Sequence, residues 1–165
     1  MTAAISLEEL VGWNEESAAF WKQHFEANPA QLELPCDIGG AVTVQEFVRH
    51  IWAVELRWSQ RIALVAVTAN ADFPTGPLAA LYDLHEQAMT ICRRLINEPE
   101  QDWSRIVRIE VDWLAPHLRQ GSCRKLMAHG LLHSQRHWAQ MATLLRNAGH
   151  PTSFRGDLLF SSALQ

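Results

Sequence analysis

Cysteine is scarce in this chain, and its placement suits neither of its usual structural uses: Cys36, Cys92 and Cys123 are odd in number, far apart and in no Cys-x-x-Cys arrangement. That pattern argues against a disulfide framework and predicts a reducing, cytoplasmic setting, with each cysteine a small core residue. Positive charge is also in deficit. A net charge of −4 leaves no electrostatic footprint for nucleic acid, so no nucleic-acid partner is expected. No basic segment leads into an apolar one after Met1, and no apolar run approaches the thickness of a bilayer. The expectation is therefore no signal peptide, no transmembrane helix and no membrane partner. Low-complexity tracts and internal repeats are missing as well. What is left is 165 residues of ordinary globular balance, read as one domain over 1–165 that buries a core without staples.

What the chain does have is tryptophan, at positions 13, 21, 52, 58, 103, 113 and 138, bulky amphipathic side chains expected to line a core, a pocket or an interface. It also has helical punctuation. Ser6-Leu7-Glu8-Glu9 is a capping box ahead of Leu10, Val11, Trp21 and Phe25, and it predicts a first helix over about 7–27, stopped by Asn28-Pro29. Thr43-Val44-Gln45-Glu46 reads as a second capping box, opening an apolar run through Phe47, Ile51, Val54, Trp58, Ile62 and Val65 that predicts a helix reaching about Ala69. Leu78, Leu81, Leu84, Ala88, Ile91 and Leu95 mark a third, ending before Glu98-Pro99. Between Trp103 and Leu118 the period changes to two, with Val107, Ile109, Val111 and Trp113 alternating with Arg108, Glu110 and Asp112, as in a partly extended crossing connection. Ser122 caps a fourth helix that stops at Asn147-Ala148-Gly149. The fold expected is all-α: a four-helix bundle with a long crossover between helices 3 and 4, an architecture that builds metal sites from inward side chains on facing helices.

Within the fourth helix the run His129-Gly130-Leu131-Leu132-His133-Ser134-Gln135-Arg136-His137 carries three histidines at successive i, i+4 spacings. Residues four apart lie about 40° from one another round a helix, so the rings share a face. Leu126, Gln140 and Leu144 fall on the same stripe, which is thus a core seam interrupted by imidazoles. Neutral imidazoles are costly there unless each ring nitrogen finds a partner, and a transition-metal ion partners several rings at once. One ion cannot take all three. His129 and His137 are roughly 12 Å apart along the axis at 1.5 Å per residue, too far for two bonds of about 2 Å. The pair is 129/133 or 133/137, and a third ligand must come from elsewhere. His50 is the best candidate, since Phe47, Val54 and Trp58 mark its side of helix 2 as core-facing.

The histidine of Val48-Arg49-His50-Ile51-Trp52-Ala53-Val54-Glu55, taken with His133-x3-His137-x2-Gln140, resembles the pattern of the DinB/YfiT-like superfamily of metal-dependent enzymes. The similarity runs from helix 1 to Asn147-Ala148-Gly149-His150-Pro151 and the following Arg155-Gly156-Asp157-Leu158. It implies metal ligands His50, His133 and His137, leaving His129 as a pocket residue or a residue behind the ligands, and it matches Gln140 to the glutamine of a His-Arg-Gly-Gln signature. The chain departs from that signature at Arg136, Trp138 and Ala139.

The resemblance further implies a thiol-dependent S-transferase or isomerase, or a hydrolase, acting on a small-molecule substrate, with a low-molecular-weight thiol as possible cosubstrate and a homodimer as the assembly. Three neutral histidines suit a divalent ion with an open position, and zinc is expected first, with nickel, iron or manganese as alternatives. His129 and Gln140 are the candidates for a catalytic or orienting role. The alternative function is a non-catalytic, metal-stabilised bundle that binds a small ligand or a protein partner. Arg57 and Arg61, near the angular position of His50, read as solvated or ion-paired arginines at the bundle's end, with contact to an anionic ligand as the rival reading. His85 reads as a bundle-margin residue, and His24, His117 and His150 as surface residues.

Overall fold

The computed structural model describes residues 4–110 and 115–164. Four long helices, α1 (Leu7–Ala27), α2 (Val44–Ile62), α3 (Leu78–Ile96) and α4 (Cys123–Asn147), make up most of it. The fold is the all-α bundle expected. α1 packs on α3 and α4, and α2 packs on the same two, so α1 and α2 lie on one diagonal and α3 and α4 on the other. This arrangement sets α2 beside α4 and brings their histidines within reach.

The helix starts follow the sequence closely. Ser6 Oγ accepts from the Glu9 backbone N–H while Glu9 Oε2 accepts from the Ser6 N–H, a complete capping box. At α2 only half the box forms. Thr43 Oγ1 caps the Glu46 N–H, but Glu46 Oε2 accepts from Val42 rather than from Thr43. The chain enters α2 through an extended bridge between Pro35 and Thr43, and there it is the Val42 N–H that meets the carboxylate.

α2 ends seven residues before the expected Ala69. The N–H of Val65 bonds the Gln60 carbonyl and that of Leu64 bonds the Arg61 carbonyl, with Leu64 in the left-handed region at φ +56°. This is a Schellman stop carrying leucine where glycine is usual. Tertiary bonds hold it: Arg105 Nη2 donates to the Ile62 carbonyl at 2.6 Å, and the Gln60 amide both accepts from the Thr68 N–H and donates to its hydroxyl. α4 closes with the same pair of bonds, from His150 to Leu145 and from Gly149 to Arg146, but with glycine in the left-handed position.

The crossover contains a two-stranded antiparallel ribbon, β1 (Ile106–Arg108) on β2 (Gln120–Ser122), with Val107 opposite Gly121. Val107 and Ile109 are buried while Arg108 and Glu110 are exposed, the alternation anticipated; Val111 and Trp113 lie outside the described residues. In the core Trp21 stacks on Trp138 and Trp52 meets Trp138 edge-on, all three indoles fully buried. A Cβ at Gly130 would lie 3.3 Å from Trp58 Cβ, so the missing side chain lets α4 approach α2 closely beside the histidines. Among the described residues no helix is long and apolar enough to cross a membrane.

Candidate metal centre

α2 presents His50 from its second turn, and α4 presents His133 and His137 from one face. The three rings converge, each offering a nitrogen within 4.8 Å of the others. Ring centroids are 4.2 Å apart between His133 and His137, 5.3 Å between His50 and His133, and 5.2 Å between His50 and His137. Phe47, one turn before His50, stacks along that ring and meets His137 edge-on, so an apolar wall backs the cluster. His137 is buried, and His50 and His133 are half-buried.

Hydrogen bonds fix which nitrogens face inward. With Gln140 Oε1 accepting, His137 Nδ1 carries the proton and donates to it at 2.6 Å, which leaves Nε2 with a lone pair. That Nε2 lies 3.0 Å from His133 Nε2 and accepts from Arg136 Nη2 at 3.3 Å. His133 Nδ1 is buried with no hydrogen-bond partner among the described residues. Bonds of about 2 Å let one ion span donors up to roughly 4 Å apart, so nitrogens held this close together are near ligating geometry. The donor set, three imidazoles with no carboxylate among them, is one that borderline divalent ions accept.

Electrostatics keep the rings neutral. Burial is the main cause of a His133 pKa lowered to about 3, reinforced by His137, His50, Arg136 and His129. Burial likewise lowers His137 to about 4, with the Gln140 hydrogen bond pulling the other way and His50 and Arg136 adding to the depression. For His50 burial again comes first, followed by Arg136 and Arg49. Neutral imidazole is the form that ligates, so the cluster is poised for a cation at neutral pH.

His129 stands apart from the cluster. Its ring lies 6.0 Å from that of His133 and meets Trp58 edge-on at 5.4 Å, on the wall of a cavity of about 500 Å³ between α2 and α4. Burial, then the charges of Arg136 and Lys125, lower its pKa. His50 and His133 line the same cavity, whose far walls are Phe73 and Ile109. Gln140, exposed at its own position, meets the cluster through its hydrogen bond with His137.

Other expectations are corrected. His85 is no marginal residue: it is 1% exposed, and its Nδ1 lies 2.7 Å from Glu55 Oε2. α3 packs extensively on α2, so a polar side chain on its apolar stripe must find a partner inside, and Glu55 provides it. Arg57 and Arg61 are neither fully solvated nor ion-paired among the described residues; both are half-buried in the cavity wall. Reading the sequence also missed Arg49 and Arg136 as cavity residues, although each directly precedes a histidine of the cluster. Trp52 and Trp138 belong to the core, and Trp58 to the cavity. His117 and His150 are exposed, while His24 is half-buried and bonded to Gln31. The three cysteines are free, buried and outside the cluster, and burial pushes the Cys92 thiol up to about 12.

The family model described as DinB family matches residues 2–158. No curated protein matches the chain.

Proposed function

The chain belongs to the DinB family, and from that premise we propose that it is a metal-dependent enzyme holding a divalent ion on His50, His133 and His137 and receiving its substrate through the adjoining cavity. One observation carries this reading: three neutral imidazoles converge, and two of them, His50 and His133, line an open cavity, with His137 buried behind them. A closed structural site has no use for such an opening. When bound, a three-histidine ion makes a water or a thiol acidic enough to serve as a nucleophile near neutral pH.

The chain's own side chains do the rest. Gln140 holds the His137 proton at Nδ1 and so keeps Nε2 available. Phe47 shields His137 from solvent. His129, on the cavity wall and with a depressed pKa, is the group placed to take a proton from a molecule bound between it and His133. Thiol transfer or isomerisation is the favoured class, ahead of hydrolysis. In that class the sulfur nucleophile would arrive on a small molecule, since the described cysteines are all buried and Cys92 is held protonated. Zinc is the favoured ion, with nickel, iron and manganese as alternatives.

Cobalt substitution tests both parts. Adding a small thiol such as 2-mercaptoethanol to the cobalt-loaded protein should produce a sulfur-to-cobalt charge-transfer band in the near ultraviolet. A spectrum indifferent to thiol would reject the thiol reading and leave hydrolysis. Stripping the metal with a chelator should leave the helical circular dichroism in place; collapse of that signal would favour a structural ion instead.

A further inference from the structure

The cavity beside the histidines is strongly positive in a chain whose net charge is −4. Arg49, Arg57 and Arg61 reach it from α2 and Arg136 from α4. Among the described residues the only carboxylate on its wall is that of Glu46, and this already accepts from the Val42 N–H. Among the described residues none of the four guanidinium groups is ion-paired. A divalent ion on three neutral ligands would add two more positive charges and no compensation. Like charges gathered in a half-buried space repel, and a site so built stabilises an anion.

The guanidinium groups are also held in place. Arg57 Nη1 donates to Asn70 Oδ1 at 2.8 Å, while its Nε is buried without a partner. Arg61 lies over the Trp58 ring at 5.2 Å and donates to the Arg57 carbonyl at 3.3 Å. Both keep donors to spare, in the planar geometry that binds oxyanions. Their position gives the ligand a length. Arg57 and Arg61 follow His50 by seven and eleven residues on one helix, about 10 and 16 Å along its axis. Between the two ends, Ala53, Val54 and Trp58 offer an apolar floor.

We infer that the substrate or cosubstrate is an elongated small-molecule anion, its reacting group at the histidine cluster and a carboxylate or phosphate at Arg57 and Arg61. The inference rests on the metal-dependent reading for its first end and on the arginines alone for its second. A cavity of about 500 Å³ suits a small molecule and is too small for a folded macromolecular partner.

The test is calorimetric titration of the metal-loaded full chain with α,ω-dicarboxylates from succinate to sebacate, and with the matching alkane bisphosphonates to separate carboxylate from phosphate preference. Affinity should rise with chain length in at least one series. Arg57→Ala and Arg61→Ala should each weaken the longer ligands about tenfold or more, with metal content and melting temperature little changed; Arg61→Gln serves should Arg61→Ala fail to fold. Length-independent binding, or equal affinity in wild type and arginine variants, overturns the inference. The metal reading fails separately, through absence of metal from the wild type. In that event octanoate binding to the metal-free protein should still weaken in the arginine variants, and its failure to do so would overturn the arginine half as well.

Discussion

Imidazoles interrupt the apolar seams of this bundle at two places, and their surroundings differ. His85, on α3, is buried beside Trp52 and Tyr82 and meets a carboxylate, that of Glu55 on α2. His50, His133 and His137 meet one another, with Phe47 and an amide behind them, arginines around them and a cavity beside His50 and His133. In the first arrangement a carboxylate on the neighbouring helix accepts from one imidazole nitrogen, while His85 Nε2 and Glu55 Oε1 stay buried without a partner among the described residues. In the second no acid is present among the described residues, and His133 Nδ1 is likewise buried without a partner, so what distinguishes the sites is the donor set and the adjoining cavity, not the count of unmade bonds. One histidine thus pairs with a buried acid, and three gather beside a cavity with no acid among them.

The comparison can be broken at its structural end first. Glu55→Ala leaves His85 buried and unpartnered and should cost about 3 kcal/mol or more in urea denaturation, while metal content stays at the wild-type level. A smaller effect is expected at the other end. Gln140→Ala removes the group that orients His137 and should weaken metal affinity about 10- to 100-fold in competition with a chromophoric chelator, with little change in stability of the metal-free protein.

Acid sharpens the contrast further. In the unfolded chain the histidines take up protons near pH 6.5, whereas in the fold His137 resists until about 4 and His133 until about 3. The unfolded state therefore binds more protons in this interval, and stability, full above pH 6.5, must fall as pH drops from 6.5 towards 3. Denaturation of the metal-free protein at stepped pH should show this slope, and His133→Ala should flatten it. A metal-loaded sample should release its ion over the same window, since protons compete for the same nitrogens.

Much of this molecule is legible in its sequence because local chemistry and tertiary structure agree. The Ser6 box, the Ser122 cap and the Gly149 stop bound α1 and α4 where local rules place them. The end of α2 was not legible, because Leu64 occupies a glycine position, held by a bond from Arg105, distant in the chain, to Ile62 and by bonds of Gln60 with Thr68, a residue the apolar run had placed inside the helix. Leu64→Gly should relieve the left-handed strain and raise stability by about 1 kcal/mol, the smallest effect predicted here, read as a shift in urea midpoint. At the site, the i, i+4 spacing announced a histidine pair but left 129/133 and 133/137 equally open. The family resemblance chose 133/137, and the three rings that converge are those it implied. The positive cavity was hidden because its walls, Phe73, Ile109 and two helices, are assembled from four separate segments. His85 was hidden for the same reason, its partner lying 30 residues away on another helix.

The most direct test of the central claim is elemental analysis of protein purified without a metal-affinity column, in wild type, His50→Ala and His133→Ala. One equivalent of a divalent transition metal in the wild type and its loss from both variants is the predicted result. Retention of that metal in either variant would contradict the assignment of His50, His133 and His137 as a shared site.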